Sequence, residues 1–253
     1  MTPDRGRWVL GVALALALSA CGGPSTASGQ AGTVTVFAAA SLLDTFRQIA
    51  DEVEQADPGL SVTLNVGASS ALAQQIVSGA PADLFAAASP ATMATVTDAG
   101  EATVPQVFAR NRLQIAVPAG NPGQVTGLAD FADPDRTFAL CAAEVPCGAA
   151  AAAVFSAAGI RASPDTLEQD VRAALSKVVL GEVDAALVYR TDVLAAGSQV
   201  RGIGFPEAQQ APSDYLLATL TSAPNAPGAQ AFAAYVLSSE GQRILAKAGF
   251  ELP

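Results

Sequence analysis

The stretch "LSVTLNVGASSALAQQIVSGAPADLFAAAS", Leu60 to Ser89, decides the fold. Its opening "LSVTLNVGAS" alternates β-branched and polar residues, which reads as a strand. "SALAQQIVSG" repeats apolar side chains at helical spacing and ends at Gly79, a helix with a glycine stop. "ADLFAAAS" is a short apolar run that reads as the next strand. Strand, helix and strand joined by short small-residue turns describe an α/β protein.

The same alternation extends in both directions. Upstream, "TVTVFAAAS" reads as a buried strand and "LLDTFRQIADEVEQA" as a helix ending before Asp57-Pro58-Gly59. Downstream, "RLQIAVPAG", "TFALCA", "DAALVY" and "DYLLATL" read as strands. "GAAAAAVFSAAG" and "VRAALSKVVLG" read as helices, and "GAQAFAAYVLSSEGQRILAKAGF" closes the chain with a helix and a shorter second one. Phe37, Phe46 and Phe155 are expected in the core. No repeat is visible and no Pro/Ser tether divides the chain. Two lobes would therefore be joined by strands crossing near Asn111-Arg112 and again near Pro212 to Asp214.

The N-terminus speaks to compartment. Arg5 and Arg7 precede an apolar run from Trp8 to Leu18, and "LSAC" ends at Cys21, the pattern of a secretory signal. "LSAC" resembles the lipobox of bacterial lipoproteins, which implies cleavage after residue 20 and lipidation of Cys21. The following "GGPSTASGQAG" reads as a flexible tether over 21–32. Loss of Asp4, Arg5 and Arg7 takes the formal charge from −10 to −11. An acidic chain without basic runs argues against nucleic acid as a partner. The sequence contains no histidine, which removes the usual general base and the commonest metal ligand.

Several strand-to-helix turns carry possible chemistry. Ser41 with Asp44 three residues on reads as a capping box. "GASSALAQQI" repeats a serine turn, "EVPCGAAAAA" is a third, and Asp170 caps a fourth helix at "VRAAL". Such helix N-termini present free N–H groups and a positive dipole end, and together they can hold an anion without basic side chains. In open α/β sheets the ligand crevice lies at these strand ends.

"VFAAASL", "GASSALAQQIVSGAPADLF", "VPCGAAA" and "DVRAAL" followed by "ALVY" resemble the extracytoplasmic molybdate-binding proteins of ABC transporters, over nearly the whole mature chain. The resemblance implies a two-lobed periplasmic-binding-protein fold of the type II kind. Each lobe would be a mixed sheet flanked by helices: 33–111 plus 213–253 in lobe I, and 112–212 in lobe II, with the ligand in the cleft between them. It implies capture of molybdate and of tungstate, delivery to an ABC permease, no catalysis, no cofactor, no cation site, and a monomer.

Position by position, the resemblance makes the oxyanion ligands Ser41 and Ser69 (hydroxyl and N–H), Cys147 and Val171 (N–H), and Tyr189 (phenolic hydroxyl). Ser70 is the neighbour that could be mistaken for Ser69. Cys147 stands where the family often has alanine, a change that a main-chain donor tolerates.

Cys141 and Cys147 are six positions apart. Without histidine neither a metal clip nor a histidine-activated thiol can be assembled, and outside the cytoplasm a disulfide is favoured over two free thiols. Its expected role is to fix the Cys147 N–H. Asp44 and Asp170 are expected as caps, and Arg172 and Arg190 on solvated faces, one of them available for steering. Rival readings are a binder of sulfate or another small oxyanion, a secreted serine hydrolase using Ser69, and a structural lipoprotein. The hydrolase lacks both histidine and a GxSxG elbow.

Overall fold

The computed structural model describes residues 32–253. The expected secretion signal, the expected lipidation site Cys21 and most of the expected tether lie outside the described residues.

Two five-stranded mixed sheets organise the chain. In the first, β1 (Gly32–Ala39) is flanked in parallel by β2 (Leu60–Gly67) and β3 (Leu84–Ala87). Antiparallel β10 (Ser213–Thr219) and β4 (Gln106–Asn111) complete it, in the order β2-β1-β3-β10-β4. In the second, β6 (Phe138–Cys141) is flanked in parallel by β7 (Thr166–Glu168) and β8 (Ala185–Tyr189). Antiparallel β5 (Leu113–Pro118) and β9 (Val200–Ile203) follow, in the order β7-β6-β8-β5-β9. The two sheets thus share one plan: three parallel strands, then one antiparallel to them, then an edge strand antiparallel to that one.

Helices cover the first sheet on both faces. Alternation along β1 sends Val34 and Val36 to one face and Phe37 to the other. On the first face α1 (Leu43–Ala56) and α8 (Ala226–Leu237) bring Phe46 and Phe232, whose rings lie 5.6 Å apart. On the second, α2 (Ser69–Val77) and α3 (Pro90–Asp98) bring Leu72, Ile76 and Met93. The second sheet is packed by α4 (Pro146–Ala158) and α5 (Val171–Val179), with Phe131 stacked on Phe138 at 4.4 Å. Phe37, Phe46 and Phe155 are all buried, as their sequence context suggests. The remaining helices are α6 (Arg190–Ala196), α7 (Pro206–Gln210) and α9 (Ser239–Lys247).

The chain passes between sheets at β4–β5, through Asn111 and Arg112, and returns before β10. The C-terminus braces the first passage. Arg110 and Glu251 exchange main-chain hydrogen bonds, and the Arg112 guanidinium grips the Glu251 carboxylate at 2.5 and 2.9 Å. That grip holds the Glu251 carboxyl below its usual range.

The sequence reading leaves β4, β9 and α6 unassigned and treats the segment of β7 as a connection. These strands are short edges of their sheets, and Leu167 in β7 is 62% exposed. Their structure comes from the neighbouring strand rather than from an apolar pattern of their own. The capping box at Ser41 is corrected. A 3-10 turn, Ala40–Leu42, precedes α1, so Ser41 lies inside that turn and caps nothing.

Candidate functional site

The parallel strands of both sheets end at one cavity. From the first sheet, β1 runs into Ala40-Ser41, β2 into Ala68-Ser69, and β3 into Ala88. From the second, β6 leads to Val145-Pro146-Cys147, β7 to Asp170-Val171, and β8 ends on Tyr189. Ser41, Ser69, Cys147, Val171 and Tyr189, the five residues singled out in the sequence, all line it. Ser70 does not; it faces an adjoining interlobe cleft of about 540 Å³ that shares Ala68 and Val145 with the cavity.

The cavity leaves about 20 Å³ for the centre of a water-sized guest. One such sphere needs roughly 10–15 Å³, so the space suits a single compact ion. No lysine or arginine lines it. Among the described residues no group of three or more His, Cys, Asp or Glu side chains is placed to hold a metal ion.

Local structure bears on what each of the five residues has free to donate. Ser69 opens α2, and its Oγ accepts the Ala88 N–H at 3.0 Å, leaving the hydroxyl hydrogen to be given elsewhere. Ser41 Oγ lies 2.7 Å from Tyr215 Oη. Cys147 is the second residue of α4, after Val145 and Pro146. Gly148 and Ala149 return their N–H groups to the Val145 carbonyl, each at 3.0 Å, whereas Cys147 precedes the first residue that can do so. The Asp170 carboxylate caps α5 by taking the N–H groups of Arg172 and Ala173, which leaves that of Val171 outside the cap.

Tyr189 is the sharpest feature. It is 1% exposed, and its Oη makes no hydrogen bond of normal distance and angle, although the Ser213 and Tyr215 hydroxyls lie near enough to act on it. Burial pushes its pKa up to about 12, so the phenol keeps its hydrogen at any physiological pH. A buried hydroxyl without a partner costs about 1–3 kcal/mol, and a guest that accepts a hydrogen bond removes that cost.

A disulfide joins Cys141, at the end of β6, to Cys147, with 5.7 Å between the Cα atoms. Gly148 closes the same turn from the other side. A Cβ there would meet the Ala142 carbonyl oxygen at 1.9 Å, so only glycine lets α4 start so close to β6.

Asp170 is a cap, as read from the sequence, but Asp44 and Arg172 differ from expectation. Asp44 pairs with Arg172, tying α1 to α5 across the cleft. Arg172 also faces Asp192 at 3.6 Å, and its side chain is only 28% exposed. The expectation of a solvated Arg172 therefore gives way to an interlobe ion pair. Asp192 is fully enclosed, takes the Tyr189 N–H at 3.0 Å, and is pushed by burial up to about 7, with Arg172 opposing. Arg190 is exposed and donates to the Gly249 carbonyl at 2.9 Å.

Two lobes meeting over a small cavity at the ends of their parallel strands define the architecture of a solute-binding protein. The chain belongs to the family of bacterial extracellular solute-binding proteins, whose family model matches residues 34–251. It is 38% identical over 247 residues to the molybdate-binding protein ModA of Mycobacterium tuberculosis, covering 95% of each chain. It is 29% identical to the ModA of Escherichia coli, covering 87% of this chain and 90% of that one. Its fold matches the periplasmic molybdate-binding protein of Azotobacter vinelandii at a TM-score of 0.73, with 21% identity over 87% of this chain and 99% of the other. The sulfate-binding protein SubI of M. tuberculosis matches at 0.74, with 18% identity over 87% and 86%.

Proposed function

We propose that this protein captures molybdate, and tungstate comparably, outside the cytoplasmic membrane and hands it to an ABC permease. The observation that carries the reading is the convergence of Ser41, Ser69, Cys147, Val171 and the buried Tyr189 hydroxyl on one small cavity without a basic side chain. The relatives named for molybdate binding support it. Ser41 and Ser69 give hydroxyls, Cys147 and Val171 give main-chain N–H groups, and Tyr189 gives its phenol. Molybdate carries two charges and no proton at neutral pH, so it only accepts hydrogen bonds. Hydrogenphosphate brings a proton that finds no acceptor, at a cost of about 1–3 kcal/mol.

Residues 33–111 with 213–253 form lobe I in this reading, and 112–212 form lobe II. The lobes close on the ion by hinge motion at the two crossings. The protein acts as a monomer without catalytic turnover, held to the membrane by a lipid on Cys21. The fold shared with a sulfate-binding protein keeps a second reading in view, because sulfate is also fully ionised and only cavity size can exclude it. Thermal melting separates the two. Molybdate and tungstate should raise the melting temperature while sulfate and phosphate do not; a larger rise with sulfate would replace the molybdate reading.

A further inference from the structure

Ser41 is backed by buried polar side chains that do not line the cavity. Behind Ser41, Tyr215 Oη lies 2.7 Å from its Oγ, Asn111 Nδ2 lies 3.5 Å from Tyr215 Oη, and the same Nδ2 lies 2.8 Å from Thr191 Oγ1. All four side chains are buried, with exposures of 5% for Ser41, 0% for Tyr215, 1% for Asn111 and 4% for Thr191. The set spans both lobes at the first crossing, since Asn111 ends β4, Tyr215 is on β10, and Thr191 is on α6. A break in register between Tyr215 and Leu216 in the β10–β4 pairing marks where the strand is bent at this ring.

Hydrogen counting gives the chain a direction. Asn111 Oδ1 accepts the Arg112 N–H at 3.0 Å, which identifies that end of the amide as the carbonyl. The other end, Nδ2, has two hydrogens and no lone pair to offer, so Tyr215 Oη and Thr191 Oγ1 both receive from it. Tyr215 stays protonated, because burial raises its pKa well above the ordinary value. Its one hydrogen goes to Ser41 Oγ, 2.7 Å away, rather than to the neighbouring Tyr189 hydroxyl, with which it forms no hydrogen bond of normal geometry. Ser41 receives from behind, and its own hydrogen is left for the cavity. Ser69 reaches the same polarity through the Ala88 N–H.

We infer that Tyr215 and Asn111 are specificity-determining positioning residues. By running a one-way hydrogen-bond chain into Ser41 they make it a donor only, so that fully ionised oxyanions are accepted and protonated ones refused. This rests on the oxyanion reading of the cavity. It goes further in placing part of the selectivity one residue behind the wall.

The test is calorimetric titration of the wild type, Tyr215→Phe and Asn111→Asp with molybdate, sulfate and phosphate at pH 8, where all three anions are mainly dianions. Tyr215→Phe removes the hydrogen that fixes Ser41, and Ser41 can then turn its lone pair to a guest. Molybdate and sulfate should weaken together, by about fivefold to tenfold, one net hydrogen bond, while hydrogenphosphate does not weaken. In Asn111→Asp the new carboxylate takes the Tyr215 hydrogen, the Tyr215 oxygen takes that of Ser41, and Ser41 presents an acceptor. The molybdate-to-phosphate ratio should fall further, and the added charge cancels from a ratio of dianions. Melting temperatures establish that each variant is folded. If Tyr215→Phe, folded, weakens all three anions equally or leaves all three unchanged, the one-way chain is overturned although the oxyanion reading stands. A wild type that binds none of the three would remove the oxyanion reading, and this inference with it.

Discussion

The two lobes share one strand order and reach the cavity at equivalent points, yet they supply different chemistry. After its central parallel strand lobe I has Ser41, where lobe II has Cys147. After the edge parallel strand lobe I has Ser69, where lobe II has Val171. After the third, lobe I has Ala88 and lobe II has Tyr189. In the proposed reading lobe I uses side-chain hydroxyls at its first two turns, Ser69 held from behind by the Ala88 N–H and Ser41 backed by the Tyr215 hydroxyl. Lobe II offers main-chain N–H groups at those turns and a side chain only at the third. Substitution should therefore damage lobe I through side-chain identity, and the first two turns of lobe II only through the backbone.

The largest expected effect breaks lobe I. Ser41→Ala with Ser69→Ala removes two donors, each worth about 1–3 kcal/mol to the anion, and calorimetry should show molybdate affinity reduced by about thirtyfold or more. Val171 sharpens the contrast. Val171→Ala should bind like the wild type, whereas Val171→Pro should lose about tenfold or more with the fold unchanged. Proline is favoured at a first helical position, and Asp170 already has the extended backbone that a residue before proline prefers, with φ −156° and ψ 171°. Equal affinity for Val171→Pro would remove the main-chain donor at that turn.

A smaller effect concerns the staple. Reducing the Cys141–Cys147 disulfide, or replacing both cysteines by alanine, should cost roughly 2 kcal/mol of stability and loosen anion binding several-fold. Unchanged affinity would leave the disulfide a purely stabilising role.

The last effect is on stability alone and leaves anion binding aside. Asp192 titrates near 7 in the folded chain, against 3.8 for an ordinary aspartate. The folded state therefore holds this proton more tightly than the unfolded state. The stability it contributes is full below pH about 4 and lost as pH rises to about 7. Melting curves of the wild type and Asp192→Asn should diverge over that range, the wild type losing ground as pH rises. The lowered groups Asp130 and Glu251 act in the opposite sense but equally in both proteins. A gap independent of pH would contradict the assignment.

Much of this arrangement is visible in the residues themselves, because strand-to-helix turns with small residues are local signals. Ser41, Ser69 and the Asp170 cap stand in such turns. What lies behind the turns is not local. The partner of Ser41 is 174 positions away, and its hydrogen direction depends on an amide at the end of another strand. No periodicity encodes that. Asp44 misleads for the same reason: its spacing from Ser41 suits a capping box, but the guanidinium that claims it belongs to a helix of the other lobe. The three-residue β7 carries too short a pattern to be seen without the strand it pairs with.

The central claim is that uncharged donors from both lobes converge on one doubly charged ion. Crystals grown with molybdate and measured at the molybdenum absorption edge test it directly. The account predicts one strong anomalous peak inside the cavity, within hydrogen-bond reach of Tyr189 Oη and of the Ser41 and Ser69 hydroxyls. A peak found only on exposed arginines, with the cavity holding nothing but water, would contradict it.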